Sequence, residues 1–167
     1  MNVKDFKRLI LSHYDPMYRI AFGILRDSND AQDAVQEAVA RLWENRDELE
    51  QVENHKAFCI TAVKFRCIDM LRMRNYSFDK IDDFAPDIED GNPGVHAQIE
   101  SRDTLNHAMN LLSQLPPQQQ EVIKLRTWGD CSLQEIAEIT GLSHDNARTL
   151  LSRARRKLKE LYNNCRK

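Results

Sequence analysis

The last part of the chain concentrates cations in a way that suits contact with nucleic acid. Between Arg148 and Lys159 there are six basic residues and no acidic residue. Clustered lysines and arginines neutralise the phosphates of a nucleic-acid backbone. The polar run His144-Asp145-Asn146 precedes this cluster and could contact base edges. Asp145 could accept a hydrogen bond from a cytosine amino group, but we favour a simpler role in the first helical turn, where the dipole stabilises an acid.

A second cluster of cations lies near the middle of the chain and is interleaved with aromatic residues. Its four basic residues fall within eleven positions that hold one acid, which is more charge than a helix C-terminus needs. The basic residues are Lys64, Arg66, Arg72 and Arg74, and the aromatic residues are Phe58, Phe65, Tyr76 and Phe78. Cations that hold a backbone and rings that stack on bases are typical of single-strand binding. For Phe58 and Phe65 alone, packing into the core is the interpretation that we favour.

The residue types that carry catalysis or bind metals are not arranged for either task. The five histidines never pair with each other or with carboxylates at metal-ligand spacing, and no nucleophile motif occurs. The four cysteines, which lie far apart without a CxxC pair, are Cys59, Cys67, Cys131 and Cys165. We interpret them as reduced, mostly packed thiols, and nothing supports a redox sensor. We therefore expect no enzyme activity, no metal, no cofactor and no small-molecule substrate.

Two short helices joined by a tight turn would position the C-terminal cations. Ser132 can cap the first helix, and Glu135 three residues later completes a capping box. Gly141 ends that helix, and Ser143 can cap the second, which carries the basic cluster. Apolar residues recur along the second helix at helical spacing. This is the pattern of a helix-turn-helix whose second helix enters a DNA groove.

Amphipathic helices precede the central cluster. Asp15-Pro16 predicts an N-cap followed by the first position of a helix. Asp27-Ser28-Asn29 predicts a turn and the cap of the next helix, which runs past Trp43. One side of that helix is apolar, and the polar residues on its other side are Asp30, Asp33, Gln36, Glu37, Arg41 and Glu44. From the pattern alone, a solvated surface is the favoured interpretation of this polar face.

The net charge of −2 conceals an uneven distribution. Residues 1–75 hold twelve basic and twelve acidic side chains, residues 76–104 hold two and eight, and residues 105–167 hold ten and six. A weakly acidic chain can therefore bind nucleic acid through its C-terminal part. The acidic stretch contains prolines and glycines without a helical or strand period, which predicts a linker. Its acidity either solvates the segment or shields a basic DNA-binding face, and we favour solvation.

These patterns predict an all-α fold of two small helical domains joined by an acidic flexible linker. The second domain is a helix-turn-helix of the winged-helix-like superfamily without strands. The predicted bounds are 1–76 for the first domain, 77–103 for the linker and 104–167 for the second domain. No stretch approaches 18 apolar residues, and the N-terminus lacks the features of a secretory signal. We therefore expect a cytoplasmic chain.

Four segments, in this order, resemble the sigma-70 family of bacterial RNA polymerase initiation factors, in particular the small extracytoplasmic-function group. The segments are LRDSNDAQDAVQEAVARLW, AFCITAVKFRCIDMLRMRN, LLSQLPPQQQEVIKLRTWGDCSLQEIAEITGLS and the basic helix containing SRARRKLK. Each is weakly diagnostic alone, whereas four in order around an acidic linker are specific. The resemblance covers nearly the whole chain and implies a role in promoter-specific transcription initiation.

The resemblance also implies residue roles and partners. The implied polymerase contacts are Asp33, Gln36 and Glu37, with Trp43 as a packing anchor, which reverses the solvated-surface interpretation of that face. The implied contacts to the minus-ten promoter element are Lys64, Arg66, Arg72 and Arg74. The implied contacts to the minus-thirty-five element are Ser143, His144, Asp145, Asn146, Arg148, Thr149, Ser152, Arg153 and Arg156. The implied partners are core RNA polymerase, double-stranded and locally melted promoter DNA, and an anti-sigma factor, all acting in the bacterial cytoplasm.

Two departures from the family pattern prevent a prediction of the promoter sequence. Phe65 stands where the family often has asparagine, and residues 145–150 read DNARTL where Gly-Thr-Val-Lys-Ser-Arg is frequent. An alternative of a different class is a stand-alone helix-turn-helix transcriptional regulator. Such a protein would need a dimer interface or a ligand pocket, and the N-terminal half shows neither pattern clearly.

Overall fold

Four α-helices and two short 3₁₀ helices form the N-terminal half. The computed structural model describes residues 1–78 and 107–165, with side chains described for 1–75 and 107–164. The elements of this half are α1 (Val3–Leu9), a 3₁₀ helix (Leu11–His13), α2 (Tyr14–Leu25), α3 (Ser28–Glu44), a second 3₁₀ helix (Glu48–Gln51) and α4 (His55–Phe78). The predicted linker, residues 77–103, lies outside the described residues except for its first two positions.

The starts of α2 and α3 test two predicted caps with opposite outcomes. The helix α2 begins at Tyr14 with His13 at the N-cap, so the predicted cap at Asp15 is wrong. The 3₁₀ helix runs directly into α2, so the chain is already helical before Pro16, which the first turn tolerates. The predicted cap within residues 27–29 is present at Asp27, whose extended backbone precedes α3 and whose carboxylate accepts from the Asp30 amide at 2.8 Å. The predicted turn is wrong for Ser28 and Asn29, which already lie in α3.

The C-terminal half is also helical, and the predicted caps at Ser132 and Ser143 and the predicted helix end at Gly141 are confirmed. The elements are α5 (107–113), α6 (Pro117–Thr127), α7 (Leu133–Thr140) and α8 (His144–Cys165). At α7 both capping-box bonds form, since Glu135 N–H donates to Ser132 Oγ at 3.1 Å and Ser132 N–H donates to Glu135 Oε1 at 2.9 Å. Gly141 ends α7 with φ of +78°, a conformation that glycine adopts without strain. The Asn146 amide then donates to Ser143 Oγ at 3.1 Å at the start of α8.

Each half buries its own apolar stripe. In the N-terminal half, α2, α3 and α4 pack together, and small alanines on α3 allow the close approach. In the C-terminal half, α6 and α7 pack against α8, and the buried residues of that group are Val122, Ile123, Leu125, Ile136, Ala147, Leu151 and Ala154. Full burial of a single valine, leucine or isoleucine side chain contributes roughly 1.5–3 kcal/mol. Each half therefore contributes its own group of packed helices to the core.

The two halves nevertheless pack against each other, and their buried residues form one continuous cluster. The helix α4 contacts α7, and α2 contacts α6. Trp128 lies on Gly23 so closely that a Cβ at position 23 would stand 2.3 Å from the indole Cζ3. Arg19 Nε donates to the Trp128 carbonyl at 2.7 Å, and Lys56 Nζ donates to the Asp130 carbonyl. The sequence pattern did not predict this contact between the halves.

Three of the four cysteines are buried thiols. Cys59 and Cys67 lie in α4, and Cys131 lies just before α7. Burial raises the pKa of Cys59 and of Cys67 to about 12 and that of Cys131 to about 11. A thiol with a raised pKa stays protonated and is a poor nucleophile. The interpretation as packed thiols is confirmed for these three residues, whereas the Cys165 side chain lies outside the described ones.

Candidate functional site

The polar face of α3 presents the implied polymerase contacts to solvent. Asp33, Gln36 and Glu37 are all exposed, because the alanines on the opposite side of α3 are buried. An exposed face with two carboxylates and an amide can accept several charge-assisted hydrogen bonds from a partner. The structure therefore brings these three residues together on one accessible surface.

Trp43 lies at the end of the same helix and is held in place by its neighbours. Its ring meets Phe6 edge to face with centroids 5.0 Å apart, and the Arg46 guanidinium lies 4.2 Å from the indole centroid. Trp43 and Gln36 line one open groove of about 410 Å³. The other side chains that line this groove include Val3, Phe6, Leu11, Tyr14 and Val39. The implied anchor and the implied polar contacts thus adjoin an apolar groove between α1 and α3.

The cations of α4 are engaged within the chain to a degree that the sequence pattern did not predict. Three of the four implied minus-ten residues are ion-paired: Lys64 with Glu121, Arg66 with Glu37, and Arg74 with Asp30. Arg72 is exposed and makes no ion pair with any residue that the structure describes. Burial lowers the pKa of Lys64, because removal from water disfavours the charged ammonium group.

Phe58 and Phe65 are exposed, so the interpretation that they pack in the core is wrong. Their exposed fractions are 42% and 60%. The helix α4 buries Cys59, Ile60 and Val63 on one side, and the aromatic rings point away from that side. Residues seven positions apart share a helix face, so Phe58, Phe65 and Arg72 form one outward stripe. Asp69 is also exposed and lies on this stripe.

The start of α8 is accessible along its whole outer face. The residues implied to read DNA there, Ser143, His144, Asp145, Asn146, Arg148, Thr149, Ser152, Arg153 and Arg156, are all exposed. Ser143 caps α8 with its hydroxyl, so part of its role is structural. Asp145 lies in the first turn and pairs with Arg148 at 3.7 Å. Three grooves along α8 are lined by arginines, as expected for a surface that follows phosphates.

Pattern reasoning missed two acidic residues that contact the implied DNA-binding cations. Asp30 was part of a polar face without a partner, and Glu121 lay in a separate predicted domain. Neither has a sequence signal that would identify its partner, because each pair joins residues more than 40 positions apart. Within the described ranges, no group of three His, Cys, Asp or Glu residues is placed to hold a metal ion. None of the described helices is long and apolar enough to cross a membrane.

Comparison with known proteins gives two family matches on the two halves of the chain. The family model described as Sigma-70 region 2 matches residues 9–76, and that of Sigma-70 region 4 matches residues 106–158. Curated relatives include the RNA polymerase sigma factor SigV of Bacillus subtilis (strain 168), which is 28% identical over 87% of this chain and 83% of the relative. The RNA polymerase sigma-E factor of Streptomyces coelicolor is 27% identical over 95% of this chain and 86% of the relative.

Solved structures show the same fold. The sigma factor RpoE in complex with the anti-sigma factor NepR, from Bartonella quintana, superposes with a TM-score of 0.70 at 24% identity, covering 96% of this chain and 98% of that chain. CnrH in complex with the cytosolic domain of CnrY gives a TM-score of 0.70 at 21% identity, covering 98% and 90%. The two family matches and the relatives that align along most of their length agree with the four motifs. The chain belongs to the sigma-70 family of RNA polymerase initiation factors, in its extracytoplasmic-function group.

Proposed function

We propose that this chain docks on core RNA polymerase through α3 and directs it to promoters that α4 and α8 recognise together. The observation that carries the proposal is the coexistence of a region 2 match and a region 4 match on two helical units that both expose polar helix faces. The action takes place in the bacterial cytoplasm, where polymerase meets promoter DNA. The chain's role needs no catalytic group of its own.

The docking surface consists of Asp33, Gln36 and Glu37, with Trp43 beside them. Exposed carboxylates suit a basic partner surface, and Trp43 adds a large, rigid apolar contact at the groove edge. Trp43 is already fixed by Phe6 and Arg46, so little side-chain entropy is lost when a partner covers it. This surface supports an interaction with core polymerase.

The two DNA contacts differ in chemistry. On α4, Lys64, Arg66, Arg72 and Arg74 hold phosphates of the minus-ten element, and the adjoining rings face the bases when the strands separate. On α8, residues near the helix start contact base edges of the minus-thirty-five element in the major groove. Later arginines on α8, such as Arg153 and Arg156, set the register on phosphates. Tethered on polymerase, two weak contacts act together through effective concentration.

We further propose that an anti-sigma factor holds the chain inactive. Two proteins of the same fold were solved as complexes, RpoE with the anti-sigma factor NepR and CnrH with the cytosolic domain of CnrY. The open apolar groove between α1 and α3 offers accessible surface for a partner helix. Pull-down of the chain from its native cells with tagged bait, followed by mass spectrometry, identifies this partner.

Charge reversal tests the docking surface. Asp33→Lys and Glu37→Lys place cations where a basic partner should bind, and like-charge contacts disfavour binding strongly. We expect each to weaken core polymerase binding at least about tenfold in a fluorescence titration, because a loss of about 1.4 kcal/mol is tenfold. Glu138→Lys, on an exposed position of α7 in the other half, makes the same change of charge and is the matched control, which should bind nearly as the wild type does. Unchanged binding by both test variants would show that the docking surface is misassigned.

The alternative function, a stand-alone regulator, predicts a different stoichiometry for the complex with DNA. A helix-turn-helix regulator that acts alone reads two half-sites as a dimer. An initiation factor binds core polymerase one to one and needs no second copy. Analytical ultracentrifugation of the chain with and without promoter DNA and core polymerase distinguishes the two: a DNA-bound dimer without polymerase would favour the regulator.

A further inference from the structure

Two ion pairs join the acidic face of α3 to the basic face of α4. Glu37 pairs with Arg66, and Asp30 pairs with Arg74. The two acids lie seven residues apart on α3, and the two arginines lie eight residues apart on α4. At 1.5 Å per residue these spacings are about 10.5 Å and about 12 Å, so the two ion pairs lie side by side between antiparallel helices. Asp33 lies between the two acids, is exposed and forms no ion pair among the described residues.

Glu37 is accessible from outside while it holds Arg66. The Glu37 side chain is 50% exposed, whereas that of Arg66 is 20% exposed. The Arg66 Nε atom is shielded from solvent and has no hydrogen bond of acceptable geometry, so Glu37 holds it as an ion pair. A partner's cation can therefore approach the carboxylate from the solvent side without displacing any helix. Glu37 keeps a cationic partner in both states, so the cost of the exchange falls on Arg66, whose partly buried guanidinium is left without an anion.

We infer that Glu37 is a shared carboxylate that restrains Arg66 in the free factor and releases it when polymerase docks. Glu37 belongs to the proposed docking surface, and Arg66 belongs to the proposed minus-ten contacts, so the inference rests on the proposed function. A basic group of polymerase that pairs with Glu37 removes the partner of Arg66. The guanidinium then needs a new anion, and the nearest one in the open promoter is a phosphate. Docking on polymerase thereby adds a DNA contact that the free chain lacks.

Three isosteric variants separate the two roles of these acids. Asp33→Asn removes a docking charge without touching an ion pair to α4. Asp30→Asn releases Arg74 at a carboxylate outside the docking set. Glu37→Gln does both, since it frees Arg66 and removes a docking charge. All three change the net charge equally, so a general electrostatic effect on DNA binding is the same in each.

The first measurement uses the full chain and a fluorescent single-stranded oligonucleotide of mixed sequence, about 12 nucleotides long. We expect Glu37→Gln and Asp30→Asn to bind it about two- to fivefold more tightly than Asp33→Asn does, as release of a weak ion pair allows. The gain of Glu37→Gln should disappear in the double variant with Arg66→Gln. Equal affinities of the three variants would overturn the inference, because the arginines would then be unrestrained.

The second measurement compares the free chain with the holoenzyme. Each phosphate contact on a single strand contributes about −0.7 to the slope of log affinity against log salt. Arg66→Gln should leave the slope of the free chain unchanged and should reduce that of the holoenzyme on a premelted promoter by about 0.7. If Arg66→Gln changes the slope equally in the free chain and in the holoenzyme, the release of Arg66 by docking is contradicted.

Binding to core polymerase distinguishes failure of the inference from failure of the proposed function. If Asp33→Asn and Glu37→Gln both bind core polymerase as the wild type does, the proposed docking surface itself is contradicted. If both weaken core binding while Glu37→Gln gains no DNA affinity over Asp33→Asn, the docking surface stands and only the shared carboxylate is contradicted. Far-ultraviolet circular dichroism of each variant confirms that α3 and α4 remain folded.

Discussion

At the residue scale, Phe65 shows how a helix pattern misleads about burial. The segment of α4 is apolar around most of its circumference, so no single face stands out as the core face. The protein nevertheless covers only the side with Cys59, Ile60 and Val63, and Phe65 is left 60% exposed. A small group of helices buries only part of its surface, so the N-terminal half cannot cover α4 on all sides. The exposed ring next to Lys64 and Arg66 is then available for a base.

Replacing Phe65 by alanine should weaken contact with melted promoter DNA without harming the fold. Stacking on an aromatic ring contributes about 1–3 kcal/mol per base. We expect Phe65→Ala to reduce holoenzyme affinity for a premelted promoter by about fivefold or more, since 1 kcal/mol is about fivefold. Binding to fully duplex minus-thirty-five DNA should not change. Met73→Ala, at an equally exposed apolar position of α4, is the control, and an equal loss there would argue against stacking.

His13 makes stability depend on pH. Burial lowers its pKa, and the nearby Lys56 and His55 act in the same direction, while Glu135 opposes them. The folded state therefore binds fewer protons than the unfolded state, whose histidine titrates near 6.5. The contribution of His13 to the free energy of unfolding should be complete above that pH, and the free energy of unfolding should decrease as the pH falls below it. Urea unfolding at several pH values should show a smaller decrease for His13→Gln, and an identical pH profile would contradict this account.

At the element scale, the helices of the C-terminal half could be predicted almost entirely from local chemistry. Ser132, Glu135, Gly141 and Ser143 act through groups within four residues, so their signals lie in the sequence itself. The predicted start of α2 is wrong because the local signal of Asp15-Pro16 is not the only influence on the backbone there. The preceding 3₁₀ helix already places the chain in a helical conformation at Tyr14. Local chemistry thus predicts helix bounds wherever no neighbouring element has fixed the chain first.

The Ser132 cap is the most direct test of that local chemistry. Ser132→Ala removes the hydroxyl that accepts from the Glu135 amide, while the backbone N–H at position 132 can still donate to the Glu135 carboxylate. We expect a loss of about 1 kcal/mol in the free energy of unfolding, as is typical for a lost N-cap. Ser152→Ala, on the exposed face of α8, should change it by less than about 0.5 kcal/mol. If both variants unfold alike in urea, the capping box does not stabilise α7.

The candidate site could be located from the sequence by resemblance, but its internal contacts could not. The exposed faces of α3 and α8 follow from helical periodicity, which places Asp33, Glu37 and Arg148 outside the core. The partners of Arg66 and Lys64 depend on how α4 packs against α3 and α6, and no local signal encodes that packing. Ion pairs between distant segments therefore require the structure, as does the exposed position of Phe65.

At the scale of the whole molecule, the packing of the two halves conflicts with the proposal that α4 reads the minus-ten element and α8 the minus-thirty-five element of one promoter. The minus-ten and minus-thirty-five elements are named for positions 25 base pairs apart, which is about 85 Å at 3.4 Å per pair. The helix α4 contacts α7, the first helix of the helix-turn-helix. We therefore expect the contact of Gly23 with Trp128 and the ion pair of Lys64 with Glu121 to break before both helices reach the elements that we propose for them.

Gly23→Ala should separate the halves. Its Cβ would stand 2.3 Å from the Trp128 ring, so either the ring or the packing of the two halves must shift. Overpacking of this kind costs about 1–3 kcal/mol, while alanine favours helix α2 by about 1 kcal/mol, so thermal stability alone is ambiguous. Small-angle scattering should show a larger radius of gyration for Gly23→Ala than for the wild type. The double variant with Trp128→Ala should return to the wild-type radius, because the ring that meets the new Cβ is gone. An unchanged radius for Gly23→Ala would show that Trp128 does not hold the halves together.

Transcription with purified core polymerase tests the central claim most directly. Core polymerase and this chain are combined on fragmented genomic DNA of the source bacterium, and transcript starts are mapped by sequencing with and without the chain. The account predicts new, sharply defined starts that share sequence elements about 10 and 35 base pairs upstream, as the proposed contacts of α4 and α8 require. The same set of starts with and without the chain would contradict it.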